Sequence, residues 1–376
     1  MIINLFGFYF NVFEVVLLSF LVIILPAYVL RYGYKIKITD IQLFHVFLIS
    51  SVLYITFILI STSFASSEMR VLKAFFKWIE ILVFSFLIFF YVRDFKNFKK
   101  IYWLFWFSNF CFIIVSILNV IKNPGSLIVG RILSDYPAVY GLALLIPFIK
   151  FKKNVTIVFA AIFFLSALFS MTRGVWVVLI IYSILLFIKT SFQKRLFIFS
   201  FFLILSLLLI KFTPIIEVIQ LRINTKSSNS ERMGMAEVAL KAFSEKPFTG
   251  IGSLNFPIYL QQNADHTTIY STEPEKLEPH NVLLQVAAEE GVFALLTFSL
   301  MIIILIYKIF NHKFSLSGAG EKFDPYLNGL KFLSVPVMAY ILFGFISDSF
   351  RFVLIMFIGL TLSLFRLSAS TYTKFN

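Results

Sequence analysis

Cysteine is nearly absent from this chain of 376 residues, because Cys111 is the single example. Cys111 lies inside an apolar run, so neither a disulfide framework nor a cysteine-based metal site is expected. The sequence has no G-x-x-x-x-G-K-[ST] loop, no H-E-x-x-H motif and no Cys/His/Asp cluster with metal-ligand spacing. It therefore lacks the signatures of a self-contained ATPase and of a zinc hydrolase, and we expect no cofactor and no metal.

Acidic residues are also scarce, because 19 Asp and Glu stand against 33 Lys and Arg, which gives a formal net charge of +14. In a soluble protein this charge would suggest a nucleic-acid partner. Here the basic residues lie in short segments between apolar runs, as membrane orientation requires, so nucleic acid is not expected. Hydrophobic residues make up 60% of the chain, against about 45–50% in soluble domains. The composition predicts an all-α polytopic membrane protein.

About eleven segments of the sequence approach the roughly 20 apolar residues that a membrane-spanning helix needs, or twelve if the first is a short pair. They are 7–30, 41–63, 72–92, 101–121, 134–150, 154–171, 174–189, 196–212, 288–309, 332–349 and 352–369. The first thirty residues lack a basic start, so no cleavable signal peptide is expected. The predicted organisation is a transmembrane bundle of about eight helices (1–212), a polar loop (213–280) and about three C-terminal helices (281–376).

Basic residues cluster in alternate connections between the predicted spans, beginning with Arg31, Lys35 and Lys37 and ending with Arg366 and Lys374. The positive-inside rule places this set of connections in the cytoplasm. The long loop 213–280 therefore faces outward, with the N-terminus outside and the C-terminus inside.

The outward loop carries a predicted helix from Ser230, as its N-cap, to about Phe243. Glu231 and Arg232 would lie in its first turn, and Lys246-Pro247 would end it. Its predicted apolar stripe consists of Met233, Ala236, Val238, Ala239, Leu240 and Phe243. A further helix is expected from Asn281 to about Glu290, leading into the next span.

Three arginines and one histidine fall in the outward segments: Arg131, Arg173, Arg232 and His280. Arginine pairs bidentately with phosphate and keeps its charge in a partly dry site, so these residues suit a lipid-linked diphosphate. His280 suits a general base, since the ordinary pKa of histidine is about 6.5. The alternative is that Arg131 and Arg173 anchor helix ends and that His280 is satisfied at an interface.

The carboxylates Glu289 and Glu290 lie in the apolar approach to a span, where each needs a partner. A transporter or flippase would be expected to place such ionisable groups near the middle of the bilayer. A structural or scaffolding membrane protein would need no arginines and histidine at one outer site. Both classes remain alternatives to an enzyme.

Several short motifs appear in a fixed order along residues 125 to 310. They are Arg131 with Tyr136-Pro137-Ala138, Met171-Thr172-Arg173-Gly174, Ser230-Glu231-Arg232 with Ala239-Leu240, the turn Pro247-Phe248-Thr249-Gly250-Ile251-Gly252, and His280-Asn281 with Glu290-Gly291. In this order the sequence resembles the O-antigen ligase and O-antigen polymerase superfamily.

The resemblance implies a fold related to the C-type glycosyltransferases and a place in the bacterial inner membrane, with the active site facing the periplasm or cell exterior. It implies transfer of a glycan from an undecaprenyl-diphosphate-linked donor to an acceptor sugar hydroxyl, without metal or nucleotide sugar. The acceptor would be the lipid A core in a ligase, in lipopolysaccharide biosynthesis, or a second lipid-linked repeat unit in a polymerase of surface polysaccharide.

The same resemblance assigns roles to residues. Arg173 and Arg232 would grip the diphosphate, and His280 would activate or position the acceptor. The substrate-binding set is Arg131, Arg173, Arg232, Asn281 and Glu290. Ligases often follow His-Asn with a Gly-x-x-[Gly/Thr/Tyr] pattern. Gly291 fits that pattern but position 294 is alanine, so ligase and polymerase both stay open.

Overall fold

The structure is a computed structural model. It describes residues 2–5, 8–11, 41–122, 135–148, 153–170, 172–189, 226–263, 277–311, 320–344 and 346–372. The chain divides into two units, Met1–Ile41 and Gln42–Asn376, and each is described by itself.

The first unit contains an antiparallel pair of short strands, β1 (Ile2–Leu5) and β2 (Phe8–Asn11). The expectation of a first span starting at residue 7 is therefore wrong over Phe8–Asn11. Strand β2 begins with Phe-Tyr-Phe, and aromatic residues favour strands. Apolar content alone does not distinguish a strand from a helix. The remainder of the predicted span, 12–30, lies outside the described residues.

In the second unit, all the regular structure of the described residues is helical. The helices are α1 (Ile41–Ser61), α2 (Glu68–Tyr91), α3 (Phe95–Lys122), α4 (Asp135–Leu145), α5 (Lys153–Phe169), α6 (Arg173–Lys189), α7 (Lys226–Glu245), α8 (Phe256–Asn263), α9 (Val282–Asn311), α10 (Gly320–Phe343) and α11 (Asp348–Tyr372). Single 3-10 turns cover Thr62–Phe64 and Ile146–Phe148.

Six of the described helices are long and apolar enough to cross a membrane: α1, α2, α3, α9, α10 and α11. Three shorter apolar segments lie in α4, α5 and α6. Together they overlap nine of the predicted spans, although α10 begins and ends earlier than the predicted 332–349. The predicted span 196–212 lies outside the described residues. The chain is a multi-pass membrane protein.

Helix α4 lies in the core of the bundle, because nearly every residue from Tyr136 to Ile146 is buried. Tyr102 of α3 donates a hydrogen bond to the carbonyl oxygen of Leu144 at 2.8 Å. A helix that is apolar on all sides suits such a position, since it has no polar face to present to water or to lipid headgroups.

Helices α2 and α11 pack in parallel but are displaced along their axes. Glu80 of α2 pairs with Arg351 of α11 at 2.7 Å, and Ser85 contacts the carbonyl oxygen of Ile355. Glu80 lies 12 residues after the start of α2, whereas Arg351 lies 3 residues after the start of α11. At 1.5 Å per residue, α11 therefore begins roughly 14 Å deeper in the bundle than α2.

Helix α7 differs from its prediction in two respects. It begins at Lys226, so Ser230 is not its N-cap, and Glu231 and Arg232 lie beyond the first turn. Residues 226–229 contain no Gly or Pro that would end the helix at Ser230. The buried face is Met235, Val238, Ala239 and Ala242, whereas Met233 and Leu240 of the predicted stripe are exposed. The predicted stop is confirmed, because the helix ends at Glu245, before Pro247.

Candidate functional site

Helix α9 consists of two helical pieces that meet at Gly291. This residue has φ 86° and ψ −179°, far from helical values, within the stretch Val282–Asn311. Glycine adopts a positive φ without the steric cost that a Cβ atom brings. The first piece, Val282–Glu290, follows His280-Asn281, and the second piece continues through the bundle.

The turn 247–252 provides the hydrogen bonds that the kink removes from α9. The backbone N–H groups of Ile251 and Gly252 donate to the carbonyl oxygens of Ala288 and Glu289, at 3.0 and 2.8 Å. In return, the N–H of Val292 donates to the carbonyl oxygen of Pro247 at 2.8 Å. The kink is therefore stabilised by a second chain segment, which satisfies buried backbone groups that helix geometry leaves open.

The side chains of Glu289 and Glu290, just before the kink, also hold α9 to the segment that follows the turn 247–252. The hydroxyl of Ser253 donates to Oε1 of Glu290, and the N–H of Phe256 donates to Oε1 of Glu289 at 3.0 Å. Both glutamates are buried, with 2% and 3% of their surfaces exposed. The expectation that they have partners is confirmed. The predicted contact of Glu290 with substrate stays a prediction, and the contacts of Glu290 favour a positioning role.

Residues 61–68 connect α1 to α2, and the end of the bundle at which they lie is here called the α1–α2 end. Residues 253–255, which follow the turn 247–252, are hydrogen-bonded to this end. Asn255 and Ser67 exchange two hydrogen bonds: the N–H of Ser67 donates to Oδ1 of Asn255 at 2.9 Å, and Nδ2 of Asn255 donates to the Ser67 carbonyl oxygen at 3.2 Å. Nη1 of Arg70 donates to the Leu254 carbonyl oxygen at 3.3 Å. The kink of α9 is thus held at the α1–α2 end.

His280 and Asn281 immediately precede α9. Oδ1 of Asn281 accepts a hydrogen bond from the N–H of Leu284 at 3.0 Å, and its carbonyl oxygen accepts one from Gln285 at 2.9 Å. These are the contacts of a helix N-cap. Asn281 therefore fixes the direction in which α9 begins, and it holds part-exposed His280 one residue before that cap.

Glu278 lies two residues before His280 and contacts the same helix. Nε2 of Gln285 donates to Oε2 of Glu278 at 2.6 Å, while Oε1 of Gln285 accepts from the N–H of Ile346 at 3.2 Å. Burial raises the pKa of Glu278 to about 7, whereas the charges of Lys77 and Arg70 and the hydrogen bond from Gln285 lower it. A carboxyl group with this pKa is half-ionised near neutral pH.

Arg173 is the first residue of α6, so its backbone lies at a helix start. A Cβ atom on the next residue, Gly174, would be 2.3 Å from the Tyr136 hydroxyl and 3.5 Å from Cβ of Phe343. The start of α6 therefore lies against α4 and the end of α10. The Tyr136 ring packs on Tyr340 at 4.5 Å, and the Tyr340 hydroxyl is 2.7 Å from that of Ser347.

These contacts bring together the chain segments of two predicted residues. The start of α6, with Arg173, is linked to Ser347 through Tyr136 of α4 and Tyr340 of α10. The start of α9, with His280, is linked to the adjacent residue Ile346 through Gln285. Arg232 lies in α7 and is exposed, while the buried face of α7 packs near Ala288 of α9. Arg131 lies outside the described residues.

Four residues of this region were not recognised from the sequence: Arg70, Lys77, Glu278 and Gln285. We call these four residues the α2–α9 junction. Arg70 and Lys77 lie about 200 residues before Glu278, so no local pattern joins them. The position of Glu278, two residues before a candidate histidine in a chain poor in carboxylates, was the one available signal.

An O-antigen ligase family model matches residues 158–299. The resemblance to the O-antigen ligase and polymerase superfamily is confirmed. The matched residues, 158–299, are here called the O-antigen ligase segment. This segment contains Arg173, Arg232, His280, the turn 247–252 and Gly291, whereas Arg131 precedes it. The family indicates a glycosyltransferase-like enzyme that acts on lipid-linked glycan and sugar substrates. The chain matches no curated protein.

Proposed function

We propose that this protein transfers a glycan from an undecaprenyl-diphosphate-linked donor to an acceptor sugar hydroxyl on the outer side of the bacterial inner membrane. One observation carries the proposal: the O-antigen ligase segment, 158–299, includes both Arg173 and His280, and contacts link their chain segments to the adjacent residues Ser347 and Ile346. The distribution of Lys and Arg supports the outward orientation, because the α1–α2 end falls in a predicted outward connection.

The proposed reaction is a displacement at the anomeric carbon of the donor. The acceptor oxygen forms a bond to this carbon, the bond from the carbon to the diphosphate breaks, and the electron pair leaves with undecaprenyl diphosphate. Arg173 and Arg232 stabilise the negative charge that develops on the diphosphate, as fixed cations do in a partly dry site. His280 positions or deprotonates the acceptor, and Arg131, Asn281 and Glu290 complete the proposed binding set without a metal ion.

The kink at Gly291 supports this proposal because it fixes the start of α9 before substrate arrives. A site whose parts are already oriented stabilises a transition state without reorganisation at the moment of reaction. The turn 247–252 and the Asn255–Ser67 pair hold the first piece of α9 against the α1–α2 end. The motifs of the turn and of Glu290-Gly291 thus act on the site through positioning.

A second candidate function is a transporter or flippase for lipid-linked saccharide. It is favoured by the buried ion pair of Glu80 and Arg351, at 2.7 Å, within two membrane-crossing helices. Ionisable groups inside a transmembrane bundle are common features of transport pathways. The two functions differ in their product, since a flippase leaves the lipid-diphosphate linkage intact.

The test uses a strain that lacks the gene, complemented with the wild-type protein, Arg173→Ala or His280→Ala at equal membrane expression. Surface glycan is separated by length on a gel. With either variant, single repeat units on a normal anchor identify a polymerase, and an unmodified anchor with full-length polymer on the lipid carrier identifies a ligase. A normal glycan ladder from both variants contradicts the assigned site.

A further inference from the structure

Glu278 is held in one orientation by a neighbour that is itself fixed at both ends. Gln285 is fully buried, and its side-chain amide bridges Oε2 of Glu278, at 2.6 Å, and the N–H of Ile346, at 3.2 Å. Because the oxygen of the amide accepts from Ile346, its nitrogen must face Glu278. The Glu278 carboxyl group is therefore oriented by α9 and by the connection between α10 and α11.

Within the described residues, charged groups of helices α2 and α9 act on Glu278. Arg70 and Lys77 of α2 lie seven residues apart, two turns along one face, and both attract the Glu278 charge. Glu289, from the first piece of α9, repels that charge. His280 follows two residues later in the chain. The α2–α9 junction thus combines one carboxyl group with two cations beside the segment that carries the candidate histidine.

Among the residues that the structure describes, three carboxyl groups lie near the start of α9, and they differ in how far they are buried. Glu289 and Glu290 are almost completely buried and accept hydrogen bonds from residues 253–256. Glu278 is only part-buried. Among these three, Glu278 has a fixed orientation and the largest exposed fraction of its side chain, and a proton acceptor must be able to contact the sugar hydroxyl.

We propose that Glu278 is a further catalytic residue of the transfer reaction and accepts the proton of the attacking acceptor hydroxyl. As the hydroxyl oxygen bonds to the anomeric carbon, the proton passes to the Glu278 carboxylate. The bond to the diphosphate breaks, and its electron pair leaves with undecaprenyl diphosphate. His280 then positions the acceptor. This inference rests on the proposed glycan transfer, and it adds the residue that takes up the proton.

The acid–base properties of Glu278 agree with this role. Its pKa of about 7 leaves a large fraction of the carboxylate ionised at neutral pH while making it a stronger base than an ordinary glutamate. Lys77 and Arg70 keep this pKa from rising further. The removal of one cation should therefore move the pH dependence of the reaction without removing the base.

The experiment measures initial rates of glycan transfer between pH 5.5 and 8.5. Membranes of the deletion strain, which accumulate the lipid-linked donor and retain the acceptor, receive purified wild-type protein, Glu278→Gln, Glu278→Asp, Lys77→Met or the control Glu237→Gln. Glu237 is an exposed carboxylate of α7, so its substitution tests the loss of a glutamate outside the junction. Size-exclusion chromatography of each variant confirms that it is folded.

We expect the wild-type rate to fall as the pH drops below about 7, because protonation of Glu278 removes the base. This decrease is the acidic limb of the pH–rate profile. Glu278→Gln should lose about 10²- to 10⁴-fold in rate, as for removal of a general base, and its residual rate should lack that limb. Glu278→Asp should retain part of the rate, Lys77→Met should shift the limb to higher pH, and Glu237→Gln should match the wild type.

A Glu278→Gln rate within threefold of wild type, or a residual rate that keeps the acidic limb, would overturn the proposal. If Glu278→Gln fails to fold, an unshifted limb in Lys77→Met together with a wild-type rate in Glu278→Asp overturns it instead. Absence of transfer by the wild-type protein at every pH is a different result, because it removes the proposed function itself.

Discussion

Gly291 and Phe248 are in backbone contact at the kink of α9. A Cβ atom on Gly291 would lie 2.3 Å from the Phe248 carbonyl oxygen, and one on Gly250 would lie 2.2 Å from the Glu289 backbone. Both glycines also have a positive φ, 86° and 65°. The turn 247–252 and the kink of α9 therefore approach each other so closely that neither Gly250 nor Gly291 has room for a Cβ atom.

Replacement of Gly291 or Gly250 by alanine should destabilise the protein. The positive φ alone costs about 1–3 kcal/mol for a residue with a Cβ atom, and the backbone contact adds to that cost. Thermal unfolding in detergent should show a clear loss in each variant. Leu240→Ala, on the exposed face of α7, is the control and should change stability by less than about 0.5 kcal/mol. Equal unfolding temperatures in all three variants would contradict the assigned contact.

Loss of the Ser253 hydroxyl should remove a hydrogen-bond donor from the buried Glu290 carboxyl group. A buried acceptor that loses its partner costs about 1–3 kcal/mol, and more if charged. The measurement is a double-mutant cycle of Ser253→Ala and Glu290→Gln, read as the free energy of unfolding. We expect Glu290→Gln to lower the free energy of unfolding by less in the Ser253→Ala background than in the wild type. Additive effects would show that the two side chains do not stabilise the kink together.

The pair of Glu80 and Arg351 should be more sensitive to single than to double substitution. Removal of one partner of a buried ion pair costs about 3–5 kcal/mol, because the other charge stays buried, whereas replacement of both is often close to neutral. Glu80→Gln, Arg351→Met and the double variant are compared by unfolding temperature and by glycan transfer. A structural pair predicts that the double variant recovers both. A stable but inactive double variant would instead indicate a functional role.

The pKa of Glu278 gives a signed prediction for stability. Because this pKa is raised from 4.5 to about 7, the folded state binds a proton more tightly than the unfolded chain does. The Glu278 contribution to stability is therefore fully present below about pH 4.5, decreases as the pH rises to about 7, and is constant above that. The unfolding temperature of wild type relative to Glu278→Gln should fall across this window. A pH-independent difference would contradict the raised pKa.

The spans were predictable from the sequence because each is a local property. In segments such as 352–369 most residues are apolar, and the structure places α11 across the same stretch. The predicted end of α7 also depended on a local signal, Lys246-Pro247. The predicted start was wrong. The predicted apolar face was right at Val238 and Ala239 but wrong at Met233, since Met233 and Met235 are equally apolar and only packing decides between them.

The site geometry depends on contacts between distant segments, which the sequence alone does not encode in any local pattern. Gly291 lies within an apolar run, and its kink exists because the turn 247–252 supplies three backbone hydrogen bonds. Glu278 comes close enough to Arg70 and Lys77 for their charges to act on it only in the folded chain, because about 200 residues separate them in sequence. The motifs could be recognised in the sequence, whereas the backbone contacts that position the start of α9 emerged from the structure.

The most direct test of the central claim follows the lipid carrier rather than the glycan. Purified wild-type protein, Arg173→Ala and His280→Ala are added to membranes of the deletion strain, and lipid extracts are analysed by mass spectrometry. We predict that the wild type releases one undecaprenyl diphosphate for each new glycosidic bond, and that both variants release little. Donor that crosses the membrane with its diphosphate linkage intact, and without release of the carrier, would contradict glycan transfer and favour transport.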